Sequence, residues 1–333
     1  MFEINYCPGT LAKGFNTYSR SCLNRMFNGK KVSHILQYTS PDKSESVYEN
    51  FLENRTRISI SGVQEKVSML LDKNILRLTN KGEQGTYILK PIPHDLKKAS
   101  QVPANEHLTM QIARQVYKIH TAENALIFFK NGEPAYITKR FDIINDSTKA
   151  GKEDFASLAG KTKDNGGTDY KYEYSYEETG DLIRRFIPVY KIEIEKFFRI
   201  VIFNFLFSNG DAHLKNFSAI ESLSGDYILS PAYDLVNTGL HINDSDFALK
   251  KGLFADNYKS DIFKKTNHPC IKDFLEFARR LGIDNTSAAI ITEPFLRYQI
   301  KVEELISNSF LDIQCKKTYL QSYRTRLNYL SDT

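Results

Sequence analysis

Between residues 67 and 142 the sequence runs strand, strand, strand, helix, strand, strand, and no other feature narrows the fold as much. "VSMLL" (67–71), "ILRL" (75–78) and "TYILK" (86–90) are short apolar runs separated by "DKN" and "NKGEQG", the pattern of a three-strand meander with tight turns. Pro103 opens "ANEHLTMQIARQVY", where Leu108, Ile112 and Val116 recur every fourth residue, so a helix is expected. "ALIFF" and "PAYITKRFD" follow as two strands joined across the turn-former Asn131-Gly132. From about residue 145 the pattern turns helical, in "IEIEKFFRIVIFNFLF", "IKDFLEFARRLG" and "KKTYLQSYRTRLNYL". A β-rich first half and a helix-rich second half imply an α+β protein of two lobes with a cleft between them. The expected divisions are a short N-terminal segment and linker (1–50), an N-lobe (51–142) and a helical C-lobe (143–333).

Composition adds exclusions. The 333 residues are 41% hydrophobic and 26% charged, ordinary for a globular protein with an ample core. A net charge of +5 suits contact with nucleotide phosphates or an acidic partner. It falls short of the concentrated basicity of a DNA reader. No apolar run reaches the length of about 18 residues that a membrane helix needs. The start, "MFEINYCPGTLAKGF", lacks the basic-then-apolar order of a secretory signal. Cys7, Cys22, Cys270 and Cys315 are scattered and read as thiols of a reducing compartment. A cytoplasmic address is expected.

The second half carries the densest chemistry. In "FNFLFSNGDAHLKNFSAI" (203–220) an apolar helix stops at Ser208-Asn209-Gly210, and Asp211, His213, Lys215 and Asn216 follow within six residues. Aspartate followed five residues later by asparagine, on a loop leaving a buried helix, is the spacing of a protein-kinase catalytic loop. Phosphoryl transfer needs a carboxylate near the attacking hydroxyl, which Asp211 would supply, and Lys215 would steady the migrating group. Asn216 could help to hold Mg²⁺, with Asp234 of "SPAYDLV" as the second ligand, since a hard cation prefers oxygen. Taken alone, the D-x-x-x-x-N pattern recurs by chance, and a turn-capping Asp with a helix-capping Asn explains it as well.

The first half supplies an ordered set of partners. Lys90 ends the third strand, where a kinase places the lysine that grips the α- and β-phosphates. Glu106 begins the following helix and could pair with it; singly, each is as well read as a solvated charge at an element end. "TKRFD" (138–142) falls at the expected hinge, so Lys139, Phe141 and Asp142 are candidates for the nucleotide pocket, with Phe141 equally a core residue. No G-x-G-x-x-G or G-x-x-x-x-G-K-[ST] loop is present. What precedes the first strand is "RISISGVQEKVSM", where the backbone around Ser61-Gly62 could cradle phosphate and Gln64 and Lys66 could assist. An ordinary strand-entry turn remains the alternative.

"ISISGVQEKVSMLL", "YILKP", "ANEHLTMQIAR", "ITKRFD", "FSNGDAHLKNFS" and "LSPAYDLV" together resemble the HipA-type kinases, the toxins of bacterial type II toxin–antitoxin systems, over roughly residues 55–330. The resemblance implies an ATP- and Mg²⁺-dependent Ser/Thr kinase with Asp211 as base, Asn216 and Asp234 on metal and Lys90 on phosphates. It also implies autophosphorylation of Ser59 or Ser61, which ejects the loop, and an aminoacyl-tRNA synthetase as substrate. Only about 55 residues precede the loop, against roughly 100 more in the longer HipA proteins. That length and the paired serines resemble HipT of three-part systems, whose partners are a small HipS protein and a DNA-binding HipB. A small-molecule phosphotransferase on a kinase-like fold shares the Asp and Asn spacing and is the alternative. The leader "CPGTLAKGFNTYSRSCLNRMF" offers only Cys7 and Cys22, too few ligands for a tetrahedral zinc site.

Overall fold

The structure is a computed structural model that describes residues 3–40, 65–93, 96–145 and 148–331. The chain divides into two compact units: Met1–Gln111 with Ala122–Lys149 and Glu304–Lys316, and Ile112–Thr121 with Ala150–Glu303 and Lys317–Thr333. The N-terminal segment, read from the sequence as a separate stretch before a linker, thus groups with the strands that follow it.

The first unit is built on a five-stranded antiparallel sheet of order β2-β1-β3-β5-β4. Its strands are β1 (Val67–Asp72), β2 (Ile75–Leu78), β3 (Tyr87–Lys90), β4 (Asn124–Phe128) and β5 (Pro134–Lys139). All five fall on the expected apolar runs, but the first three are not a meander. β3 pairs with β1 (Val67↔Leu89), not with β2. The segment after β2 doubles back past β1: the Thr79 N–H donates to the Ser68 carbonyl and the Thr86 N–H to the Met69 carbonyl. Gly85 permits that approach, because a Cβ there would fall 2.0 Å from Ser68 Oγ. Val67, Ser68 and Met69 are all buried, so β1 is covered on both faces as a central strand must be. β2 is left at the edge.

Residues 3–40 complete this unit's core. α1 (Arg20–Phe27) is capped by Ser19, whose Oγ accepts from the Cys22 N–H, and ends at Asn28 in the left-handed conformation. Tyr18, Cys22, Met26, Phe27, Val32 and Leu36 pack against Met69, Leu89, Ile127 and Ile137. The outer edge of β4 is covered as well: the Phe128 N–H donates to the His34 carbonyl and the Leu36 N–H to the Phe128 carbonyl. An edge strand capped this way offers no template for stray pairing. α2 (Val102–Gln115) is the helix expected after Pro103. Its apolar positions are buried, and so are Asn105, Glu106, His107, Thr109 and Gln111.

The second unit is organised around α4 (Tyr190–Leu206), apolar over most of its circumference and buried from Phe197 to Leu206 apart from Arg199. It follows α3 (Tyr176–Phe186), which starts with a capping box in which Ser175 and Glu178 exchange backbone bonds. β6 (Ile143–Asn145) and β7 (Thr148–Lys149) pair with each other within the first unit. The second unit holds a three-stranded antiparallel sheet of order β10-β9-β8, formed by β8 (Lys152–Asp154), β9 (Ser218–Glu221) and β10 (Tyr227–Leu229). α5 (Ile271–Arg280) and α6 (Ile313–Ser331) are the two later helices expected from the sequence. Among the described residues no helix is long and apolar enough to cross a membrane.

Candidate active site

The loop that ends α4 is fixed by its own short-range polar bonds. Ser208 adopts a left-handed backbone (φ 52°), and the Asn209 N–H then donates to the Asn204 carbonyl while its side-chain amide donates to Asn204 Oδ1 at 3.0 Å. Thr238 holds the turn from outside: its Oγ1 donates to the Ser208 carbonyl at 3.0 Å and accepts from the Gly210 N–H at 2.9 Å. Gly210 is required here, since a Cβ would fall 2.4 Å from the carboxyl carbon of Asp244. Arg326 Nε reaches Ser208 Oγ at 3.2 Å from α6.

Asp211 leaves this turn with its carboxylate half exposed. The phenol of Tyr172 donates to Asp211 Oδ1 at 2.7 Å, and the ring packs edge-on against His213, centroids 5.1 Å apart. Burial, reinforced by the Lys171 charge, holds His213 down to about 3. The imidazole 3.9 Å from Asp211 is therefore neutral and forms no ion pair. Burial, then the Asp211 carboxylate, keeps the Tyr172 phenol well above its ordinary range, so it stays protonated.

A single 3-10 turn, Leu214–Asn216, carries the next two residues. Lys215 Nζ reaches Asp154 Oδ2, at the end of β8, at 2.6 Å. Asp154 Oδ1 simultaneously accepts from the Ser157 N–H at 2.9 Å, so one carboxylate ties the lysine to a helix start. Asn216 Oδ1 accepts from the His213 N–H at 3.1 Å, which orients the amide. Tyr233 OH donates to the Lys215 carbonyl at 2.8 Å, and Asp234 follows in the left-handed region (φ 54°), a conformation rarely adopted by non-glycine residues. The Tyr233 bond to the Lys215 carbonyl sets the backbone of Asp234 one residue from a contact with the Asp211–Asn216 loop. An amide oxygen and a carboxylate fit Mg²⁺, which takes a few oxygen ligands from protein and the rest from water and phosphate.

In the first unit, Lys90 Nζ lies 2.6 Å from Glu106 Oε1, with the two side chains 4% and 3% exposed. The strand end and the first turns of α2 thus meet through a buried ion pair, and the Lys90 ammonium also lies 5.3 Å from the Tyr136 ring centroid. Lys139 Nζ bonds Asn28 Oδ1 at 2.9 Å. Asp142 is clasped by the Arg140 fork at 3.0 and 2.5 Å. Phe141 and Lys66 are half-buried. Ser59, Ser61, Gly62 and Gln64 lie outside the described residues. Tyr172, Asp154, Thr238 and Asp244 were not singled out from the sequence; only Asp154 left a local trace there, as a helix-capping residue before "FASL".

Residues 58–300 match the family described as HipA-like C-terminal domain. The chain belongs to this family. A Haemophilus influenzae protein named "Putative kinase" is 27% identical over 287 residues, covering 82% of each chain. "Putative kinase Y4dM" of Sinorhizobium fredii is 31% identical over 265 residues, 75% of this chain and 61% of its own length. Among solved structures, HipA in the Shewanella oneidensis MR-1 HipA, HipB and operator DNA complex superposes with a TM-score of 0.61 at 22% identity, over 88% of this chain and 71% of that one. The Helicobacter pylori proinflammatory kinase CtkA gives a TM-score of 0.51 at 15% identity, over 82% and 94%. The α+β, HipA-like fold expected from the sequence is the fold observed.

Proposed function

We propose that this HipA-like chain is an ATP- and Mg²⁺-dependent Ser/Thr protein kinase acting as the toxin of a toxin–antitoxin system. The observation that carries the reading is the buried Lys90–Glu106 pair. Burying two charges seldom adds stability over an apolar pair of the same size, so its presence on β3 and α2 argues for a task. In kinases the strand-three lysine, held by a helix glutamate, binds the nucleotide phosphates.

The remaining roles follow from chemistry. The acceptor hydroxyl gives its proton to Asp211 as its oxygen bonds the γ-phosphorus and the bond to the ADP oxygen breaks. Lys215, steadied by Asp154, offsets the charge of the migrating phosphoryl group. Asn216 and Asp234 would hold Mg²⁺, which when bound neutralises phosphate charge. Lys139, Phe141 and Asp142 would serve the adenine side, and Gly62, Gln64 and Lys66 the phosphate side, as the HipA resemblance proposes. Phosphate on Ser59 or Ser61 would add about −1.5 to −2 charge where the γ-phosphate belongs and repel the loop. An aminoacyl-tRNA synthetase as substrate, a HipB-like DNA-binding antitoxin and a HipS-like small protein are the partners that the HipA resemblance proposes.

The test is phosphoproteomics after a brief pulse of expression, with Asp211→Gln as the control. Serine or threonine phosphorylation of one cellular protein that vanishes in the variant supports the reading. Label from ATP appearing on a metabolite and on no protein would instead establish a small-molecule phosphotransferase.

A further inference from the structure

We propose that Tyr172 gates the acceptor side of Asp211, its phenol holding the position of the phosphate-accepting hydroxyl against water until a protein hydroxyl displaces it. The inference rests on the kinase reading and adds to it a residue that decides between protein and water as acceptor. The phenol donates to Asp211 Oδ1 at 2.7 Å, which is the bond an acceptor hydroxyl makes to a catalytic base before attack. A hydrogen bond to a carboxylate is among the stronger ones, so water competes poorly for that oxygen while Tyr172 stays in place.

The backbone holding Tyr172 is built to yield. Tyr170–Tyr172 is one 3-10 turn, held through the Tyr172 carbonyl by the Lys250 N–H at 3.0 Å. Lys250 Nζ also pairs with Asp169 at 3.1 Å and with Glu173, all three side chains about half exposed. Exposed pairs of this kind contribute about 0–1 kcal/mol each, so a docking protein gives up little in breaking them. The main remaining holds on Tyr172 are the edge contact of its ring with His213 and the Lys250 N–H bond. Without the gate, water's oxygen would bond the γ-phosphorus, its proton would pass to Asp211, and the bond to ADP would break, yielding ADP and inorganic phosphate.

The experiment compares the full-length wild type with Tyr172→Phe, Lys250→Ala and Asp211→Asn. It measures phosphate release from Mg²⁺-ATP without acceptor, and phosphate transfer to dephosphorylated casein. Tyr172→Phe is expected to raise acceptor-free release about fivefold, the factor one net hydrogen bond supplies, and to lower KM for casein. Lys250→Ala, a change at a half-exposed side chain, is expected to move both readings the same way by less. A Tyr172→Phe protein that loses release and casein kcat together would mean the phenol supports the base, and the gate is overturned. Phosphate found on Tyr172 of the wild type overturns it as well, because the residue is then an acceptor. Wild type no more active than Asp211→Asn in both assays removes the kinase reading itself.

Discussion

Two lysine–carboxylate pairs in this protein have the same length and different surroundings. Lys90 and Glu106 are 2.6 Å apart and almost wholly buried. Lys215 and Asp154 are also 2.6 Å apart, but each side chain is about one-fifth exposed, 19% and 20%. Distance ranks them equal; burial does not. As water is excluded, the attraction grows, and so does the penalty for leaving one charge without its partner. The first pair is therefore bound up with the packing of α2 on its sheet, whereas the second can be altered with the fold intact.

The largest effect that tests this contrast is Glu106→Ala. It removes the carboxylate 2.6 Å from a buried ammonium and should lower stability by about 3–5 kcal/mol, read as a drop in the urea midpoint. The double variant Lys90→Met, Glu106→Leu should recover most of that stability while remaining inactive. A single variant that unfolds like the wild type would break the contrast. Next comes Asp211→Asn on the half-exposed loop. Phosphoryl transfer should fall by about 10²–10⁴-fold, the share of a general base, with stability changed by no more than about 0.5 kcal/mol. Single substitutions thus part activity from stability on the catalytic loop and lower both at the buried pair.

The same contrast governs what could be read from the sequence. Lys90 and Glu106 are 16 residues apart at the ends of consecutive elements, so apolar periodicity alone brought them near each other. Asp154 lies 61 residues from Lys215, and Tyr172 lies 39 from Asp211. No local pattern links either pair, and one tyrosine within "YKYEYSY" looks like the next. β8 and β9 were missed because runs of three and four residues carry too little alternation to register. The strand order escaped for another reason: where β3 pairs depends on the path of residues 79–86 past Ser68 and Met69, which is a tertiary choice. The expected N-terminal segment and linker (1–50) carries no apolar run that marks it as core, since Tyr18, Met26, Val32 and Leu36 enter the core from turns as well as from α1.

Two buried histidines, one in each unit, sharpen the comparison through pH. Burial holds both His107 and His213 down to about 3. For a base whose folded value lies below its unfolded one, near 6.5, the unfolded chain binds the proton first. Stability is therefore full above about pH 6.5 and declines as pH falls toward 3. Each histidine should remove about 2 kcal/mol by pH 5. Urea unfolding at pH 7, 6 and 5 should show a slope that steepens toward about two protons between pH 6 and 5, and His107→Gln should reduce it toward one. A slope unchanged by that substitution would mean His107 is not the buried, neutral group described.

The smallest effect belongs to Asp154 itself, and it separates the carboxylate's two tasks. Asp154→Asn keeps an oxygen for the Ser157 N–H but loses the charge facing Lys215. With both side chains partly in water, the pair contributes little to stability, and the expected loss is under about 1 kcal/mol. The lysine, no longer held, should wander from the transferring phosphate, and kcat should fall about tenfold, a loss of the order of one hydrogen bond to a charged group. Asp154→Ala removes the cap as well and should cost about 1 kcal/mol more in stability with the same loss in kcat. If the alanine variant lost far more activity than the asparagine one, the cap would matter to the site beyond the charge. Asp154 would then resemble Glu106, and the distinction between the two pairs would fail.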